Sequence, residues 1–137
     1  MQIQNIVEGV NAKLAGETLT YTQMRIFLSE VIDDINAELA ADFPSFDDLA
    51  SNANYDAFPD KYVRSVVITG AAFKFYVTDE EGINTAQQYQ YDYLDRLFRM
   101  KRDYAELIPE EYQLDDQGYV TGAPRDYDDL SNAFGGW

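Results

Sequence analysis

The stretch "AFPDKYVRSVVITGAAFKFYVTDEEG", residues 57–82, decides the fold, because here an acidic chain turns hydrophobic. Pro59 stands where proline is favoured, in the first turn of a helix whose first N–H has no intrahelical partner. The spacing predicts a helix from about Pro59 to about Thr78. Tyr62, Val63, Val66, Val67, Phe73 and Val77 share one broad face, and Ile68, Phe75 and Tyr76 widen it almost all the way round. Gly70, Ala71 and Ala72 are small enough to let a neighbouring helix approach closely, at a helical cost of about 1 kcal/mol for glycine relative to alanine. A membrane span needs about 20 predominantly apolar residues. Lys61, Arg64 and Lys74 fall inside that length, so the pattern indicates a central bundle helix rather than a span.

Working outward, Ile3, Ile6, Val7, Val10 and Leu14 recur at three- and four-residue steps, which places them on one helical face before Gly16 stops the helix. "TYTQ", residues 20–23, has the capping-box form and starts a second helix. Met24, Phe27, Leu28, Val31, Ile32, Ile35 and Leu39 give that helix its apolar side. Residues 41–59 then lose periodicity but keep Phe43, Phe46, Tyr55 and Phe58, the composition of a loop anchored by aromatics. Beyond the central helix, "DEEG" turns the chain and "TAQQ", residues 85–88, is a second capping-box match. Tyr89, Tyr93, Leu94, Leu97, Phe98, Lys101 and Tyr104 trace the face of a fourth helix that ends near Ile108. The expected architecture is mainly α. It comprises a four-helix bundle over residues 1–108, with a long aromatic loop between helices 2 and 3, and an extended C-terminal arm over residues 109–137. "YQLDDQGYVTG" in that arm fits a short β-hairpin turning at Asp116 to Gly118.

At 137 residues the chain fits one domain, and a domain of that size buries roughly two thirds of the surface its unfolded chain exposes. A net charge of −15 would suit a disordered acidic polypeptide, but 46% hydrophobic and 15% aromatic content argue for a folded core. The charge is uneven. Residues 1–60 carry 2 basic and 11 acidic side chains, residues 61–102 carry 7 and 5, and residues 103–137 carry 1 and 9. Gripping nucleic-acid phosphates needs a basic patch, and the run Arg96, Arg99, Lys101, Arg102 is too short for tight binding by one copy. The N-terminus has no basic segment followed by an apolar one, so synthesis in the cytoplasm is expected.

With no cysteine and no histidine, disulfides, thiol chemistry, Cys/His zinc sites and imidazole-based catalysis are excluded. Glu30, Asp33, Asp34 and Glu38 share helical sides, yet carboxylate-bridged metal bundles also use a Glu-x-x-His pair, and a solvated face explains these acids. Asp115, Asp116, Asp126, Asp128 and Asp129 miss the spacing of a calcium loop and its closing glutamate. Gly9, Gly16, Gly70 and Gly82 stand alone, so no phosphate-binding loop is present. No cofactor, metal site or catalytic residue is expected. The basic run at residues 96–102 suits either an acidic neighbour or simply the C-terminal end of a helix dipole.

The order of features resembles the head-to-tail connector adaptors of tailed bacteriophages. It rests on the N-terminal helix pair, the aromatic loop, "FPDKYVRSVVITGAAFKFYVTDEEG" and "TAQQYQYDYLDRLFRMKRDYAELIP", so residues 20–108 carry it. The resemblance implies a non-enzymatic structural adaptor in the virion neck. Such a protein assembles as a homo-oligomeric, dodecameric ring beneath the portal protein, meets a stopper or tail-completion protein, and lets genomic DNA pass without specific binding. An acidic lumen would repel phosphates. On that basis the ring interface falls on the outer faces of the second and fourth helices, with Tyr89, Tyr93, Arg96, Arg99 and Arg102. Docking to the portal or a neighbour falls on the arm, through Tyr119, Tyr127, Phe134 and Trp137, since buried aromatics dominate interface energetics. Two alternatives from other classes are an acidic DNA mimic that inhibits a nucleic-acid enzyme and a small enzyme working through paired carboxylates.

Overall fold

The computed structural model describes residues 1–79 and 83–114, apart from the side chain of Ile83. The chain is mainly helical, with four helices and no strand among the described residues. Helix α1 spans Ile3–Lys13 and buries Ile3, Ile6 and Val10, three members of the predicted face. Gly16 follows at φ +79°, a left-handed conformation that turns the chain away. The Asn11 side chain bridges that turn, donating to the Leu19 carbonyl (2.9 Å) and accepting from the Leu19 N–H (2.8 Å).

Helix α2, Tyr21–Leu39, opens with the predicted capping box. The Thr20 hydroxyl accepts from the Gln23 N–H and the Gln23 side chain accepts from the Thr20 N–H. Its buried side is Met24, Leu28, Val31, Ile32, Ile35 and Leu39, and it closes on Ala40 in the left-handed region, φ 51°.

The central helix is built in three parts: α3 (Asp60–Tyr62), a π-helical turn (Val63–Val67) and α4 (Ile68–Thr78). The backbone is right-handed helical at Tyr62, Val63, Val67 and Ile68, so the three run on without a break. Pro59 is the residue before the helix rather than its first member. A π turn holds an extra residue, which rotates the buried face relative to a plain α pattern. Val63, Val66 and Val67 are all fully buried, while Val77 at the far end is 60% exposed.

Helix α5 spans Ile83–Tyr104 and tightens into 3-10 turns at Ala105–Leu107 and Glu110–Tyr112. It starts before Thr85, so residues 85–88 lie inside the helix and do not cap it. The central helix packs against α1, α2 and α5. Gly70 faces both α5 and α2. A Cβ there would lie 2.6 Å from Tyr93 of α5 and 2.7 Å from Val31 of α2.

Residues 40–59 contain no helix and run back along α2, bonded to it from Asn36 to Tyr21. Phe43, Phe46, Tyr55 and Phe58 are buried, with Phe46 stacked on Tyr55 at 4.4 Å and Phe43 edge-on to Phe58 at 5.0 Å. Polar side chains tie down the backbone of this segment. Tyr21 donates to the carbonyls of Phe46 and Leu49, Tyr55 donates to that of Pro44, and Asn36 both donates to and accepts from Phe43. The Met1 ammonium donates to the Tyr55 carbonyl and pairs with Asp56 and Asp60. Residues 109–114 also lie on the body. The Asp42 N–H donates to the Tyr112 carbonyl (2.8 Å), Ala41 bridges Gln113, and the Tyr112 ring lies 5.3 Å from Phe43. The packed body therefore extends past residue 108, and most of the sequence expected to form a hairpin lies outside the described residues.

Candidate functional site

Helix α5 is the element on which the predicted interface residues converge, and it carries two separate apolar stripes. The inner stripe is Ala86, Tyr93, Leu97, Met100 and Tyr104, all buried, with Tyr89 partly buried among them. These residues are three or four apart, the period of one helical face. The outer stripe is Tyr91, Leu94 and Phe98, at three- and four-residue steps, which are 82%, 52% and 61% exposed. At 100° per residue the centres of the two stripes lie about 130° apart around the helix.

Tyr93, expected on an outer face, is a core residue with 1% exposure. Its ring packs beside Gly70 and Phe73, and its hydroxyl donates to Asp34 Oδ2 (2.8 Å), which also pairs with Lys74 Nζ (2.8 Å). Burial, then the hydrogen bond to the Asp34 carboxylate, pushes the Tyr93 phenol well above its ordinary range. Tyr89 also turns inward. It stacks on Tyr76 at 5.5 Å, donates to the Lys13 carbonyl (3.3 Å), and has its phenol raised chiefly by burial. Both tyrosines therefore join helices within one chain.

The three arginines do reach the surface. Arg96 pairs with Asp92 (2.8 Å), Arg99 with Asp95 (3.2 Å) and Arg102 with Asp103 (2.8 Å). Arg99 and Arg102 are 64% and 60% exposed. Such surface pairs contribute at most about 1 kcal/mol each, so they leave the guanidinium groups free to change partners. Around the helix, Arg102 falls beside the outer stripe, one turn past Phe98, while Arg96 and Arg99 lie on a neighbouring side, so the apolar stripe shares its surface with one guanidinium group.

The outer side of α2 differs in character. Ile26, Glu30, Asp33 and Ala37 are exposed and spaced four, three and four residues apart, which forms one stripe with two carboxylates at its centre. The acids once grouped as Glu30, Asp33, Asp34 and Glu38 are dispersed. Asp34 holds Tyr93 and Lys74, Glu38 pairs with Lys101 at 3.4 Å, and no convergent group of three or more potential metal ligands occurs among the described residues. The Asp103 carboxyl lies below its ordinary range because of its hydrogen bond to Arg102, and both side chains of the pair are exposed. Tyr119, Tyr127, Phe134 and Trp137, expected to dock the portal or a neighbour, lie outside the described residues. None of the described helices is long and apolar enough to cross a membrane.

Tyr91, Leu94 and Phe98 are the residues that sequence reasoning misplaced or passed over. The apolar spacing alone puts Leu94 and Phe98 on one face with Tyr89, Tyr93, Leu97 and Tyr104. Separating the apolar residues of α5 into two sets, 86–89–93–97–100–104 and 91–94–98, reveals a second stripe that a single-face reading merges. Comparisons of the chain with protein-family models, curated proteins and solved structures find no match.

Proposed function

We propose that this protein is a non-enzymatic structural adaptor of a tailed-phage neck. It assembles as a ring beneath the portal, joins the DNA-filled head to the tail, and lets DNA pass through its lumen. The observation that carries this reading is the outer side of α5, where Tyr91, Leu94 and Phe98 stand exposed beside Arg102. Contiguous exposed apolar groups mark interaction sites, and interface cores favour aromatics and arginine. The bundle is already closed without this face, which is therefore available to another chain. A net charge of −15 suits a conduit for DNA, since an acidic wall repels phosphates.

In this reading residues 115–137 form the arm that reaches the portal or a neighbouring subunit, with Tyr119, Tyr127, Phe134 and Trp137 as its anchors. The test is negative-stain imaging of the full chain mixed with a tailed-phage portal encoded beside it. Rings seated on the portal are expected. A chain that leaves the portal bare but binds a basic nuclease in a salt-sensitive manner would replace the adaptor with the DNA mimic.

A further inference from the structure

We propose that the outer face of α5 docks onto the outer face of α2 in a second copy of this chain, making a head-to-tail contact. The inference rests on the ring reading above and deepens it by naming both halves of the interface. Within one chain, α5 and α2 already meet through Tyr93 with Asp34 and Lys101 with Glu38. Tyr91, Leu94 and Phe98 on α5 and Ile26, Glu30, Asp33 and Ala37 on α2 stay exposed beside those contacts, so covering one stripe with the other takes a second copy.

The two stripes are chemically matched. The α5 stripe offers Tyr91, Leu94 and Phe98 followed one turn on by Arg102. The α2 stripe offers Glu30 and Asp33 flanked by Ile26, itself 60% exposed, and Ala37. Docking α5 on α2 places the Arg102 guanidinium opposite Glu30 and Asp33, neither of which has an ion-pair partner among the described residues. Docking α5 on a second α5 supplies the arginines only with Asp92, Asp95 and Asp103, each already paired with an arginine of its own helix. It would also leave Ile26 uncovered. Because the two surfaces are different patches, the contact is heterologous, and repetition generates a ring or an open filament rather than a closed pair.

The chain has no cysteine, so single cysteines report the contact cleanly. Phe98→Cys and Ile26→Cys proteins, one carrying a longer tag, are mixed and treated with a short bismaleimide. The expected product is the mixed dimer, well above the yield from either variant alone or from an exposed control, Gln4→Cys. The double variant I26C/F98C should give a ladder of products, and adding Leu94→Arg should reduce that ladder by about tenfold or more. A Phe98→Cys dimer that forms alone as readily as the mixed one would mean that α5 pairs with α5 and would overturn the proposal. A ladder no stronger than the control would overturn it as well. Portal imaging separates this from the broader reading: rings on the portal without the ladder defeat only the α5–α2 contact, and a ladder without portal attachment defeats only the adaptor.

Discussion

Gly70 shows how one missing side chain lets three helices meet. Its position between Tyr93 of α5 and Val31 of α2 leaves no room for a methyl group, since a Cβ would lie 2.6 and 2.7 Å from them. Alanine would gain about 1 kcal/mol in helix propensity. Both neighbours are buried and one is a ring whose hydroxyl is tied to Asp34, so relief requires the helices to separate. Overpacking of this kind costs about 1–3 kcal/mol. Gly70→Ala should therefore destabilise the fold despite its better helix former, as urea denaturation followed by circular dichroism would measure; a variant more stable than the parent would contradict the packing argument. Gly9 differs, because the nearest atom there is the flexible tip of Ile68.

At the scale of elements, two asparagines act alike. Asn11 and Asn36 each present a side-chain amide to the backbone of one residue, Leu19 and Phe43, as a neighbouring strand would. Asn36→Leu removes both partners from the Phe43 peptide group in a partly buried setting and should cost about 1–3 kcal/mol. Hydrogen exchange should show the protection lost first at residues 41–46; uniform loss across the bundle would instead mean that the loop and the helices open together. The sequence reveals the start of α2, where the Thr20–Gln23 box has a local chemical cause, and the central helix, where a broad apolar face and small residues coincide. It does not reveal the asparagine clamps, because their partners are chosen by tertiary geometry. It misreads the start of α5 because Thr85 has the right neighbours for a cap while the helix begins two residues earlier at Ile83. The candidate interface was half legible. Arg96, Arg99 and Arg102 are at the surface, but Tyr89 and Tyr93 occupy the core, and which of two apolar stripes faces inward depends on what α5 packs against.

For the whole molecule, buried phenols set the response to alkali. Burial raises Tyr21, Tyr55, Tyr89, Tyr93, Tyr104 and Tyr112 above their ordinary value of 10.0. A group whose folded-state pKa is raised holds its proton in the native state after the unfolded chain has released it, so stability is fully present below about pH 10 and falls as pH rises beyond it. A smaller loss should begin above about pH 8, where the unfolded N-terminus deprotonates. Burial opposes the Met1 ammonium, but its hydrogen bonds to Asp56 and Asp60 outweigh that and raise it. Tyrosinate absorbance should rise together with the loss of helical signal; ionisation of these tyrosines in a chain that keeps its helices would contradict their burial.

Where the folded body ends determines which truncation can test the arm. Residues 109–114 hold the aromatic segment in place: Tyr112 sits against Phe43, its carbonyl accepts from Asp42, and the Gln113 side chain donates to the Ile108 carbonyl at 2.7 Å. A chain cut after residue 108 loses all three contacts and should be destabilised by about 1–3 kcal/mol, the usual range for removing a partly buried anchor. A chain cut after Leu114 keeps them and should melt close to the full-length protein. Portal attachment should fail in both if residues 115–137 carry it, and the chain ending at Leu114 would show that loss without a change in the fold. Attachment by the chain ending at Leu114 would instead assign portal contact to the helical body, while a chain ending at residue 108 that melts like the full protein would show that residues 109–114 add nothing to it.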